Sequence, residues 1–108
     1  MKKSLLLSLA LSSYALSGCI NSTLVGQPGT SIASEDVVLY YIDRPACNFA
    51  TVAHIQVTGG YYSLGSMLDS MRQQAAMVGA DGLYVLQTQQ LDIKEFLGTA
   101  KAIRCLPA

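Results

Sequence analysis

Several absences narrow the chemistry open to this chain. His54 is the only histidine in 108 residues. A zinc site takes three or four ligands at defined spacing, and no second imidazole exists to help build one. His54 therefore reads as a structural or exposed strand residue. A serine–histidine–acid triad could use only His54, and no Gly-x-Ser-x-Gly turn presents a nucleophile. No Cys-x-x-Cys pair marks a thiol redox centre. The expectation is a protein without catalysis, bound metal or organic cofactor. Basic charge is also scarce, with 7 Lys and Arg against 7 Asp and Glu. That balance lacks the footprint of a nucleic-acid binder and the basic patch that draws a domain to anionic lipid. No apolar run approaches the ~20 residues that a permanent membrane-spanning helix needs.

The N-terminus carries a shorter apolar run. Lys2 and Lys3 precede residues 5–16, which are apolar apart from Ser8, Ser12, Ser13 and Tyr14. About a dozen residues suits the h-region of a secretory signal. Small Ser17 and Gly18 follow, then Cys19. Residues 1–18 are expected to be a signal peptide that is removed. The stretch Leu16-Ser17-Gly18-Cys19 resembles the lipobox of bacterial lipoproteins. The resemblance implies cleavage before Cys19 and a diacylglyceryl group on its thiol. Several acyl chains at ~0.8 kcal/mol per buried CH2 make a stable anchor. In Gram-negative lipoproteins an aspartate after this cysteine retains the protein at the inner membrane. Ile20 stands here, so the resemblance implies the outer membrane, with the domain facing the periplasm.

Without Lys2 and Lys3 the mature chain keeps five basic residues against seven acidic, a net charge of −2. With Cys19 assigned to lipid, Cys47 and Cys105 remain. In an oxidising compartment such a pair is expected to be a disulfide. Closing a loop of nearly sixty residues contributes about 4 kcal/mol in the chain-entropy picture. The alternative, a two-thiolate metal or redox site, has no motif behind it.

Residues 19–35 are rich in Ser, Thr, Gly, Asn and Gln and read as the lipidated N-terminus and a flexible tether. The alternative is an ordered arm using Leu24, Val25 and Ile32. The globular domain is expected over 36–108. Residues 37–42 are β-branched and aromatic, hence a strand, broken by Asp43, Pro45 and Asn48. Residues 51–58 alternate and give a second strand. Leu64, Leu68, Met71, Ala75 and Val78 draw a helical stripe, which Met67 and Met77 widen, while Arg72, Gln73 and Gln74 take the wet side. Ser63 or Ser66 can cap the helix, with Asp69 completing a capping box from Ser66, and Gly79 stops it. The Gly79–Gly82 stretch could suit a phosphate or metal loop, but a helix stop and a turn explain each residue. Residues 83–86 are apolar on both faces, so that strand should be central. Residues 96–105 form the last strand, with Gly98 as a candidate bulge.

The order β-β-α-β-β predicts an α+β fold: a small mixed sheet with one helix on one face and one disulfide. Hairpins are expected between the first two strands and the last two. The helix would join parallel strands. This topology brings Cys105 to the end of the sheet where the second strand begins, beside Cys47.

The helix over 67–78 followed by Gly79-Ala80-Asp81-Gly82-Leu83-Tyr84-Val85-Leu86 is similar to small bacterial envelope domains. One is the outer-membrane lipoprotein that senses envelope stress for the Rcs phosphorelay; another is the YbjQ-like family, sometimes described as heavy-metal binding. The first resemblance implies a lipid anchor, a disulfide-held domain and envelope proteins as partners. The chain departs from it in its single candidate disulfide and shorter tether. The second implies ring oligomers, which leaves a homo-oligomer open.

Tyr40, Tyr41, Tyr61 and Tyr62 are the candidate interaction surface, because tyrosine offers area and a hydroxyl at low entropic cost. Packing at the core edge is the plainer role for them. The expected function is an outer-membrane lipoprotein whose periplasmic domain is a protein-interaction, stress-sensing or assembly module. The alternative is a lipoprotein that binds a small ligand or metal.

Overall fold

A computed structural model describes residues 19–107; the expected signal segment 1–18 lies outside the described residues. Alternation of apolar and polar side chains builds the long strands. In β3 (Phe49–Gly60), Ala53, Ile55 and Val57 are buried while His54, Gln56 and Thr58 stand exposed. In β5 (Glu95–Cys105), Phe96, Ala100 and Ala102 are buried against the same core. β4 (Gly82–Asp92) adds Leu83 and Val85. With β1 (Cys19–Leu24) and β2 (Val38–Tyr41) they form a five-stranded sheet in the order β1-β3-β5-β4-β2.

Helix α1 (Leu64–Met77) covers one face. Ser63 and Ser66 close its capping box reciprocally: the Ser66 N–H donates to Ser63 Oγ at 3.2 Å and the Ser63 N–H to Ser66 Oγ at 3.1 Å. The box thus lies one turn earlier than a Ser66–Asp69 pairing. Met67, Met71, Ala75 and Ala76 are buried, and Leu64, Leu68 and Val78 pack beside them. Met77 departs from expectation: it is 65% exposed. Arg72 is not on the wet side either. Its Nη2 donates to the Val37 carbonyl at 2.9 Å, which ties the helix to the 3-10 turn Ser34–Asp36. Gly79, at φ +74°, ends the helix in the left-handed region as expected.

The α+β mixed sheet with its helix and the Cys47–Cys105 disulfide is as the sequence predicts. The linked Cα atoms lie 5.6 Å apart beside the paired residues Phe49 and Cys105. β5 is antiparallel to both β3 and β4, so β3 and β4 run the same way with β5 between them.

Three differences have physical causes. First, residues 19–24, expected in a flexible tether, form edge strand β1, antiparallel to β3 from Cys19↔Thr58 to Leu24↔Ala53. The rest of that segment is held by its backbone: the Val25 and Gly26 N–H groups donate to Val52, Gly29 to Val78 and Ile32 to Ala76. Leu24, Val25 and Ile32 themselves remain exposed, so the arm docks through main-chain bonds, which hydropathy does not report. Second, β2 makes no hairpin with β3; it pairs in parallel with β4 at the far edge. Both sides of β3 are already taken, by β1 and β5. The central strand is accordingly β5, not the apolar 83–86 segment. Third, Gly98 is not a bulge. The ladders shift at Thr51/Ala53, Val85/Gln87 and Gln90/Asp92. A Cβ at Gly98 would meet Met67 Cε at 2.8 Å, so this glycine lets the helix approach the sheet.

Candidate interaction surface

Residues paired across a ladder share a face. Tyr40, Tyr84, Lys101, His54 and Thr23 therefore form one row on the face away from the helix. Asn21, Gln56, Thr99 and Gln87 form the next row. Most of this open face is polar. Its end near Cys105 is not. There Ile103 is fully buried yet separate from the helix-side core. The Tyr40 ring and Ile103 both crowd Gly82, each within 3.0 Å of the position a Cβ would take. Phe49 and Tyr84 stack edge to face with centroids 5.9 Å apart, and the Arg44 guanidinium lies 5.2 Å from the centre of the Phe49 ring. Offset aromatic pairs and cation–π contacts hold such clusters beyond what area alone contributes.

β2 borders this cluster. Val38, Leu39, Tyr41 and Ile42 are 52%, 37%, 40% and 51% exposed. Tyr41, in register with buried Val85, lies on the helix side, where its hydroxyl and Thr88 Oγ1 share a 2.6 Å hydrogen bond. Ile42 has φ +67°, a conformation β-branched residues rarely adopt and one costing on the order of 1–3 kcal/mol.

Tyr61 and Tyr62 belong to the other end of the sheet. The Tyr61 N–H donates to the Lys94 carbonyl at 2.9 Å, beside the Gly60↔Glu95 pair. The two tyrosine pairs are therefore not one patch; at ~3.3 Å per residue they lie roughly 20 Å apart along the strands. Tyr61 is half-buried and packed against the core. Loss of hydration raises the pKa of its hydroxyl; a hydrogen bond with Ser70 opposes the rise, and a Cys19 thiolate would add to it. Tyr62 is 88% exposed, with Lys94 Nζ 5.7 Å from its ring centre. Cys19 is exposed at the same end.

His54 is exposed on the open face between Thr23 and Lys101. Asp81 accepts the Cys105 N–H at 3.0 Å through Oδ1, so its carboxylate secures the last strand beside the disulfide. Arg104 reinforces the same corner, donating from Nη2 to the Gly79 carbonyl at 3.2 Å. An open depression of about 290 Å³ lies between the 3-10 turn and the helix, lined by Ser34, Glu35, Asp69, Arg72 and Gln73. Among the described residues, no three His, Cys, Asp or Glu side chains gather as a metal cradle. Among the same residues, no helix is long and apolar enough to cross a membrane.

Sequence reasoning missed Phe49, Tyr84, Arg44 and Ile103. The available signal was the imperfect alternation near Cys105, where Ala102 and Ile103 are consecutive and both buried on opposite faces.

No family model matches the chain, and no curated protein matches it. Among solved structures it is similar to the crystal structure of a Francisella virulence factor, FvfA, with TM-score 0.55 and 10% identity, covering 80% of this chain and 97% of that one. At that identity the likeness shows a shared fold.

Proposed function

We propose that the protein is an outer-membrane lipoprotein, anchored through acylated Cys19, whose periplasmic domain binds another envelope protein. The anchor reading rests on Leu16-Ser17-Gly18-Cys19 and agrees with an exposed, unpaired Cys19. The partner surface is β2 with the adjoining Tyr40, Tyr84 and Phe49 cluster. The observation that carries it is Ile42, a β-branched residue held at φ +67° and half exposed. Backbone outliers of that kind cluster at binding and switch sites. Among the described residues β2 also leaves one edge without a strand partner, the arrangement by which an extended segment adds to a sheet. A stress-sensing or assembly role follows the resemblance to envelope sensors.

A photo-crosslinking residue at Leu39, in the lipidated protein in cells, tests this. A dominant heterologous adduct is expected, and it should fade when Ile42→Asn or Tyr40→Ala is added. Adducts only between copies of this chain would replace the heterologous partner with a homo-oligomer. Adducts that persist unchanged in both variants would reject the surface.

A further inference from the structure

The end of the sheet that holds Cys19 carries a second set of exposed apolar residues. Tyr62 is 88% exposed, Ile93 80% and Leu91 49%. Leu91 and Ile93 lie at the turn between β4 and β5, and Tyr62 follows β3; the Tyr61 N–H bond to the Lys94 carbonyl joins the two loops. We infer that this end rests in the headgroup–acyl boundary of the membrane, with Tyr62, Leu91 and Ile93 inserted. The inference deepens the lipoprotein reading and rests on it.

Three observations support a lipid surface over a protein partner. The first is the place of Cys19 in the sheet. Cys19 starts β1 in register with Thr58, and Thr58 is two residues from Gly60 at the strand's end. An acyl group on Cys19 therefore has no slack tether behind it, so the membrane must approach this end. The second is how the tip satisfies its own backbone. Asp92 Oδ1 accepts the Ile93 N–H at 2.7 Å, Gln90 Nε2 donates to the Ile93 carbonyl at 3.1 Å, and the Tyr61 N–H takes the Lys94 carbonyl. Unpaired backbone groups are what keep loops out of low-dielectric surroundings, and these three apical groups are paired. The third is composition. An aromatic ring beside a lysine suits the interface, where the ring lies at headgroup depth and the lysine stem extends to water. Asp92 and Glu95 outnumber Lys94 by one charge, so insertion rather than attraction to anionic lipid provides the contact.

The orientation has a consequence. β3 spans 12 residues from Phe49 to Gly60, so at ~3.3 Å per residue Phe49 would stand roughly 35 Å from the membrane-facing tip, and Tyr40 and Tyr84, level with His54, roughly 20 Å from it. The proposed partner surface therefore runs from the disulfide end to mid-sheet at Ile42, clear of the anchor end.

The test uses the full lipidated protein in vesicles of phosphatidylethanolamine and phosphatidylglycerol. A spin label is placed by Leu91→Cys or, in the exposed loop that follows β2 and leads away from that tip, by Asp43→Cys. With Cys19 acylated and Cys47 bonded to Cys105, the label has a single thiol to react with. The label at 91 should be accessible to oxygen and shielded from a water-soluble nickel complex, and the label at 43 the reverse. Adding Tyr62→Asp with Ile93→Asp should make position 91 as nickel-accessible as 43. Equal aqueous accessibility of both labels in the otherwise unaltered chain overturns the inference and leaves the anchor intact. The mass of the N-terminal peptide, taken before reconstitution, separates the two failures: an unacylated Cys19 overturns the lipoprotein reading and this orientation with it.

Discussion

Ile42 and Tyr61 show how much a single residue can reveal. Ile42 is strained and exposed, so replacing it costs little packing. Asparagine tolerates the left-handed region better than a β-branched residue. Ile42→Asn is expected to raise stability by about 1 kcal/mol, read as a higher urea midpoint at unchanged slope, while weakening partner capture. A variant that is less stable would mean that the side chain packs more than its exposure suggests. Tyr61 gives a pH signature. Burial raises its pKa above 10.0, so folding favours the protonated phenol. The native state then holds more protons than the unfolded one between the two pKa values, and stability must fall as pH rises there. The contribution is fully present below pH ~10, the unfolded value, and is lost as pH rises through the folded one. Tyr61→Phe should remove that part of the alkaline destabilisation, and phenolate absorbance should show one tyrosine titrating late.

At the scale of elements, β1 is the sharpest departure from a reading of the sequence alone. Cys-Ile-Asn-Ser-Thr-Leu has the composition of a linker, and only Ile20 packs on the core. What makes it a strand is the free edge of β3, a property of the assembled sheet and not of the segment. Amide exchange should therefore alternate along residues 20–24, slow where an N–H bonds β3 and fast where it faces water; uniform fast exchange would restore the tether. The helix, by contrast, was legible in its stripe, its Ser63 cap and its Gly79 stop. So were β3, β4 and β5, whose alternation or unbroken apolar runs state their burial. β2 was legible as a strand but not in its partner, because pairing is decided by which edges are vacant. The aromatic cluster was hidden for the same reason. Arg44, Phe49 and Tyr84 are scattered in sequence and meet only through the β3–β5–β4 register. Gly98 looked like a bulge because the sequence cannot say that a methionine presses on it.

At the scale of the molecule, the disulfide fixes one end of the sheet and the proposed anchor at Cys19 would fix the other. The Cys47–Cys105 bond has a sequence separation of 58 and closes most of the domain. Removing it by Cys47→Ser with Cys105→Ser should cost about 4 kcal/mol, seen as a fall in urea midpoint; a loss near zero would mean that Asp81, Arg104 and the strand ladder already hold that corner. The proposed partner surface runs from this bond to mid-sheet, and Cys19 lies at the far end. The anchored, two-ended arrangement depends on the fate of Cys19. The most direct measurement is the mass of the N-terminal peptide from protein extracted from membranes. The expected chain begins at Cys19 and carries a diacylglyceryl group on sulfur. An unmodified Cys19, or a mature chain that begins elsewhere, would contradict it.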